Sequence, residues 1–264
     1  MKAISITKFE EGVVNEDAAI ATSNYIAVSD GAGGGGVFAD KWSKYLIDNI
    51  PTEPIADYGS FDSWIDSIWE AFYNRWEEKA KEEGGLLLNK FYEEGSFATL
   101  VAVWNSGRWV SYGDSTAFCY DMATGKLQYS IGQLTDFNNP PYLVNCKDPT
   151  EEIGFKTGVF EISSSSIVFV ASDALAHYIL MMYEVAHKDE FALELQQAID
   201  AQTKNSNFVN AALNMASIGF DRDIVSKLLH CSKNTANFKR HIVHLHELGL
   251  IAHDDYSFAT FRNF

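Results

Sequence analysis

The sequence predicts an α+β domain, and three observations point there. The stretch "FATLVAVWNSGRWVSYGDSTAFCYDMATGKLQYS" reads as three strands turning at "NSG" and "ATG", an antiparallel meander. Amphipathic helical patterns lie both before and after that block. No internal repeat or low-complexity linker divides the chain, so residues 1–264 are expected to form one domain.

The elements follow in order. Residues 2–8 and 18–29 alternate apolar and polar side chains as strands do. "YIAVSDGAGGGG" then closes an apolar run on Asp30 and passes into a loop with almost no side chains. "VFADKWSKYLIDNI" places Phe38, Trp42, Tyr45 and Leu46 at helical spacing, and "PTEP" breaks it. "SFDSWIDSIWEAFYNRWEEKAKEE" predicts a long helix with Ser60 as N-cap and Gly84-Gly85 as its stop. Its stripe of Trp64, Ile68, Phe72 and Trp76 belongs in a core. Residues 132–158 are polar, hold three of the five prolines and predict a long loop. "SSSSIVFVASD" predicts a buried strand ending on Asp173, residues 174–250 are mostly helical, and "HDDYSFATFRNF" predicts a closing strand.

Composition excludes several functions. Apolar residues make up 47% of the chain, which is globular in character. The net charge of −16 opposes binding to nucleic acid, which needs clustered Lys and Arg. No apolar run approaches the roughly 20 residues of a membrane span. The start "MKAISITKFEEG" lacks the features of a signal peptide. Cys119, Cys146 and Cys231 are isolated and odd in number, so free thiols and a cytoplasmic location are expected.

Acidic residues share a local pattern. Glu16 and Asp17 precede a strand, Asp30 and Asp173 end strands, and Asp254 and Asp255 open one. Carboxylates gathered in this way repel one another unless cations neutralise them, and all-oxygen ligands select hard ions such as Mg²⁺ or Mn²⁺.

The series Asn15-Glu16-Asp17, Ser29-Asp30-Gly31, Tyr112-Gly113-Asp114-Ser115, Ala171-Ser172-Asp173-Ala174-Leu175 and Asp254-Asp255-Tyr256-Ser257 resembles, in family order, the motifs of the metal-dependent Ser/Thr protein phosphatases of the 2C type (PPM family). The resemblance runs over nearly the whole chain. It implies an αββα sandwich, two packed antiparallel sheets flanked by helices. It also implies a cleft holding two Mn²⁺ or Mg²⁺ ions that activate water against a phosphate monoester. By the same resemblance Asp30 bridges the ions and the Gly31 carbonyl binds one of them. Glu16 falls on the second-metal ligand and Asp17 on its supporting partner, with Asp30 and Asp17 carrying catalysis. Asp173 and Asp254 fall on first-metal ligands, and Asp114 with Asp173 matches a third, weaker ion site of many bacterial members. The implied substrate is a phosphorylated protein or a small phosphate ester, and the implied protein is a monomer without nucleic-acid or membrane partners.

The chain departs from the pattern at phosphate recognition. Gly12 stands where an arginine usually binds the substrate phosphate, and Lys8 is the nearby substitute, a point charge rather than a bidentate fork. Ala32, Thr116 and Ala174 also depart from common family residues. These changes leave a second reading open, a pseudophosphatase that keeps the fold and binds partners. Neither His177 nor His253 is assigned a role. Residues 221–252 bear a faint likeness to a helix-turn-helix, against which the acidity of the chain counts.

Overall fold

The computed structural model describes residues 1–34 and 36–261. Gly35 of the glycine loop and residues 262–264 of the expected closing strand lie outside them. The chain starts with β1 (Lys2–Ile6), β2 (Ala18–Ala21) and β3 (Tyr25–Ser29). The single strand expected over 18–29 is therefore a hairpin. Thr22 turns it, its Oγ1 accepting hydrogen bonds from the backbone N–H groups of Asn24 and Tyr25.

Next come α1 (Ala39–Asp48), α2 (Tyr58–Glu83) and α3 (Gly85–Glu93). The N-cap of α2 is Asp57 rather than Ser60, and its Oδ1 accepts the Ser60 N–H at 2.8 Å. Gly84 ends α2 at φ +67°, a conformation costly for other residues, but it also starts α3, which the glycine pair had masked.

The strand block then runs β4 (Phe97–Ala98), β5 (Leu100–Trp104), β6 (Arg108–Tyr112), β7 (Thr116–Asp121) and β8 (Leu127–Tyr129). It is not one meander, because β6 and β7 belong to different sheets. The chain crosses between them at Gly113-Asp114-Ser115, with Gly113 at φ +97°. Nor is 132–158 a plain loop. It holds a 3₁₀ turn (Leu134–Asn138), β9 (Val144–Asn145), a second 3₁₀ turn (Glu152–Gly154) and β10 (Phe155–Val159), an edge strand on β6.

The C-terminal half comprises β11 (Ser166–Ala171), α4 (Asp173–Ala186), α5 (Ala192–Asp200), α6 (Lys204–Leu213), a π-helical turn (Phe220–Val225), α7 (Ser226–Cys231), α8 (Thr235–Glu247) and β12 (Tyr256–Thr260). Asp173 opens α4 instead of ending β11. The strand stops at Ala171 and Ser172 is the helix N-cap.

The result is an α+β sandwich of two five-stranded antiparallel sheets. One has the order β1-β12-β11-β7-β8 and the other β10-β6-β5-β3-β2, with β4 and β9 as a separate pair. Ile26, Val28, Val101, Val103, Cys119, Val168 and Val170 form the dry layer between the sheets. The outer face of the first sheet is covered by α4 and the helices that follow, and that of the second by α1 to α3. The aromatic stripe of α2 lies in this second core, where Phe72 packs on Trp42 at 4.7 Å between ring centroids. The three cysteines are free thiols. Among the described residues no helix is long and apolar enough to cross a membrane.

Candidate active site

Five chain segments, carrying Asp17, Asp30, Asp114, Asp173 and Asp254, bring carboxylates to one end of the sandwich. Asp30 follows β3, where the backbone is pinned from both sides. The Thr99 N–H donates to the Asp30 carbonyl at 2.8 Å, and the Asp30 N–H donates to Thr99 Oγ1 at 3.2 Å. Thr99 Oγ1 shares a hydrogen bond with Ser115 Oγ at 2.7 Å, which ties the Asp30 corner to the Gly113–Ser115 crossover carrying Asp114. Asp173 sits in the first turn of α4, where the helix dipole favours a negative charge, and its Oδ1 accepts the Ala174 N–H. Asp254 lies just before β12.

The electrostatics define which side chains share the site. Burial pushes the Asp30 carboxyl well above its ordinary range, and the charges of Asp17, Asp173, Asp114 and Asp254 push it further. Asp173 is raised the same way, by burial first and then by Asp114, Asp254 and Asp17. Burial raises Asp17 to about 7 against the Ser172 and Ser257 hydroxyls, which lower it, and Asp255 and Asp254 add to the rise; burial raises Asp114 to about 6, with Asp254 adding. Asp254 is raised as well, mainly by burial. Asp30, Asp114, Asp173 and Asp254 keep some accessible surface, so they are half-buried rather than sealed in the core. Asp17 is the deepest of the five, 8% exposed, and its Oδ2 has no hydrogen-bond partner among the described residues.

Glu16 stands to one side. Burial raises its carboxyl, Lys8 lowers it, and its acidic neighbours are Asp255 and Asp40 rather than Asp30. It lies beneath the glycine loop. A Cβ on Gly33 would stand 1.9 Å from Glu16 Oε1, and one on Gly31 would stand 2.4 Å from the Glu16 carbonyl oxygen. Glu16 thus occupies the space that side chains at Gly31 and Gly33 would need, whereas a Cβ on Gly36 would meet the Gly95 carbonyl oxygen at 2.7 Å. Gly33→Ala should therefore displace the flexible Glu16 carboxylate and lower activity while leaving the thermal midpoint within about 2 °C, whereas Gly31→Ala, which meets backbone, should also destabilise the fold. Thermal melts and activity on the two variants check this.

Lys8 is one cation at this end, and Lys204 also acts on Asp254. Its charge lowers the carboxyl pKa of both Glu16 and Asp254. Asp255 holds the segment in place, accepting the Lys8 N–H at 2.7 Å and the Glu16 N–H at 2.6 Å. At 3% exposure it satisfies two backbone donors and so positions Lys8 and Glu16 together. Sequence reading gave Asp255 no such role, although its place beside Asp254 in a double acid was the available signal. Gly12 has φ +79°, a conformation that an arginine side chain would strain. His177 is buried on α4, edge-on to Phe137 and Phe208, and burial pushes it down to about 4. It belongs to the core.

A cavity of about 240 Å³ opens beside Asp114, lined by Gly113, Asp136, Asn139, Tyr142 and the exposed Lys156. Lys156 lies on β10, in the segment that the sequence presented as a loop.

Among the described residues no three His, Cys, Asp or Glu side chains form a group that could hold a metal ion as they stand. The donor set nevertheless suits a hard cation. It is all oxygen, it includes a buried acceptor without a partner, and its members raise one another's pKa for want of a neutralising charge. The carboxylates lie within electrostatic reach without being drawn into a closed ligand shell.

No family model and no curated protein matches the chain. Among solved structures it is similar to the catalytic domain of the serine/threonine protein phosphatase PstP in complex with two manganese ions, at 15% identity and a TM-score of 0.50, with 98% of this chain and 95% of that one covered. It is similar also to the serine/threonine phosphatase PstP/Ppp of Mycobacterium tuberculosis, at 17% identity, a TM-score of 0.50 and the same coverage. At these identities the likeness is one of fold. The chain has the fold of the 2C-type serine/threonine phosphatases, the class that its motif order resembles.

Proposed function

We propose that this chain is a metal-dependent phosphatase acting on phosphoserine or phosphothreonine proteins or on small phosphate monoesters. The observation that carries the reading is the set of mutually repelling carboxylates at the sheet ends, Asp17, Asp30, Asp114, Asp173 and Asp254. Glu16, Asp30, Asp114, Asp173 and Asp254, with the Gly31 carbonyl, would hold two Mn²⁺ or Mg²⁺ ions and a weaker third. When bound, such ions supply an activated water and Lewis-acid neutralisation of phosphoryl oxygens.

The chain's own groups do the rest. Asp17, whose Oδ2 has no partner among the described residues, would accept a hydrogen bond from a water in the site and orient it. Asp255 fixes Lys8 and Glu16. Lys8, beside Glu16 and Asp254, and Lys156, in the cavity beside Asp114, would replace the arginine absent at Gly12 as cations for the substrate phosphate. The desolvated setting strengthens each of these interactions over its value in water. We place the protein as a cytoplasmic monomer.

Hydrolysis of p-nitrophenyl phosphate with Mn²⁺, and with a chelator in its place, tests the reading. Turnover should require Mn²⁺. Lys8→Ala and Lys156→Ala should each raise KM by about three- to tenfold with kcat largely kept, the cost of one charged contact open to solvent. A second reading, a pseudophosphatase, is favoured by Gly12 and by the open ligand arrangement. It predicts Mn²⁺ binding without turnover.

A further inference from the structure

From Ile224 to His246 the chain has no Asp or Glu, although it carries 36 of them overall. The same stretch holds Lys227, Lys233, Lys239 and Arg240 and four of the seven histidines. In a molecule of net charge −16 this is an isolated cationic region.

It is also shaped. Helices α7 and α8 border a groove of about 540 Å³, larger than the cavity beside Asp114 and sharing no lining residue with the acidic site. Lys227, His230, Cys231, Arg240, Val243 and His244 line it, with Glu247 the one acid among its lining residues. Lys227, Arg240 and Val243 are exposed. Among the described residues neither Lys227 nor Arg240 makes an ion pair with a carboxylate, whereas Arg222 nearby is held by Asp223 at 2.8 Å and His244 faces Glu247 at 3.6 Å. His241 in the wall is kept neutral by burial, so the fixed positive charge is that of Lys227 and Arg240.

We infer that the groove between α7 and α8 docks an acidic peptide segment of a partner protein, carboxylates on Lys227 and Arg240 and an apolar side chain on Val243 and Cys231. Complementary charge selects this occupant. A nucleic-acid duplex has the right sign for the groove, but beyond its short width it would meet the acidic remainder of the surface. A peptide fits within the cationic patch and can use the apolar lining.

The probe is a fluorescein-labelled peptide of repeated Glu-Glu-Leu triplets, followed by anisotropy with the full chain. It should bind, weaken as salt rises, and lose at least about tenfold in affinity in the double variant Lys227→Glu, Arg240→Glu. Val243→Ser should weaken it severalfold without changing the salt dependence. Both sites are on the surface, and circular dichroism of each variant confirms the fold. Mn²⁺-dependent ester hydrolysis should be unchanged in the double variant, which keeps this inference separate from the reading of the acidic site. Four results would each overturn it: no binding up to about 1 mM, equal binding of the Gln-Gln-Leu analogue, unchanged affinity in the double variant, or tighter binding of a duplex oligonucleotide.

Discussion

Asp30→Asn is expected to reduce Mn²⁺-dependent ester hydrolysis by roughly a thousandfold or more, and at the same time to raise the thermal midpoint of the metal-free protein at pH 8. The first effect follows from removing the carboxylate through which the cations would be held, an interaction worth several kcal/mol in the transition state. The second follows from the site's electrostatics. Asp30 is raised by burial and by four other acids, so at pH 8 its ionisation works against folding when no cation is present. An asparagine of the same shape removes that charge. With Mn²⁺ at saturation the order should reverse, because binding to the native state stabilises wild type more than the variant. Melts with and without Mn²⁺ check the crossing. Were Asp30→Asn to destabilise both forms alike, Asp30 would be a structural residue.

A second large effect is expected far from the cleft. Glu184 on α4 is 1% exposed, its Oε2 has no partner among the described residues, and burial, with help from Glu194, pushes its carboxyl up to about 8. The folded chain therefore keeps a proton that the unfolded chain releases near the ordinary glutamate value of 4.5. Between these two values the native state binds more protons, so stability falls as pH rises and the full penalty stands above pH 8. Glu184→Met, unbranched and apolar, should remove a penalty of a few kcal/mol at pH 9 and raise the midpoint by about 5–10 °C there. Near pH 4 the two proteins should differ little. Melts in chelator across that range, taken as the difference between variant and wild type, isolate Glu184 from the acids of the site. A difference independent of pH would mean that Glu184 is ionised, or satisfied, in the native state.

Much of the fold was legible because its strands end in chemistry. The apolar runs before Asp30 and Asp173 and after Asp254 each hold a strand, although the first is one arm of a hairpin and Asp173 opens α4 rather than ending β11. What failed was local and has local causes. The hairpin at Thr22 depends on a hydroxyl accepting two backbone N–H groups, and Thr suits a strand equally well. Asp57 and Ser60 are both good caps, and only the backbone decides that Asp57 is used. Gly84 satisfies two helix ends at once, which composition cannot distinguish from a full stop. The crossover at Gly113–Ser115 divides what reads as one continuous strand, since local alternation carries no record of which sheet a strand joins.

The site was legible as residues more than as geometry. The motif order named Glu16, Asp17, Asp30, Asp114, Asp173 and Asp254 as candidates. Placement then separated them: Asp17, Asp30, Asp114, Asp173 and Asp254 act on one another, while Glu16 is held apart under the glycine loop. Asp255 and Lys156 acquire meaning only from long-range neighbours, the Lys8–Glu16 backbone for one and the Asp114 cavity for the other.

The central claim is that the acidic end of the sandwich is a divalent-metal centre. Calorimetric titration of the metal-free chain with Mn²⁺ at pH 6, repeated in buffers of different ionisation enthalpy, tests it most directly. Because Asp17 and Asp114 are raised to about 7 and about 6, part of the site is protonated there, and ligands must shed protons to bind. The account predicts about two ions per chain, with proton release visible as a buffer-dependent enthalpy and with both lost in Asp30→Asn. Absence of Mn²⁺ binding at millimolar concentration, or binding that is unchanged in Asp30→Asn and releases no protons, would contradict it.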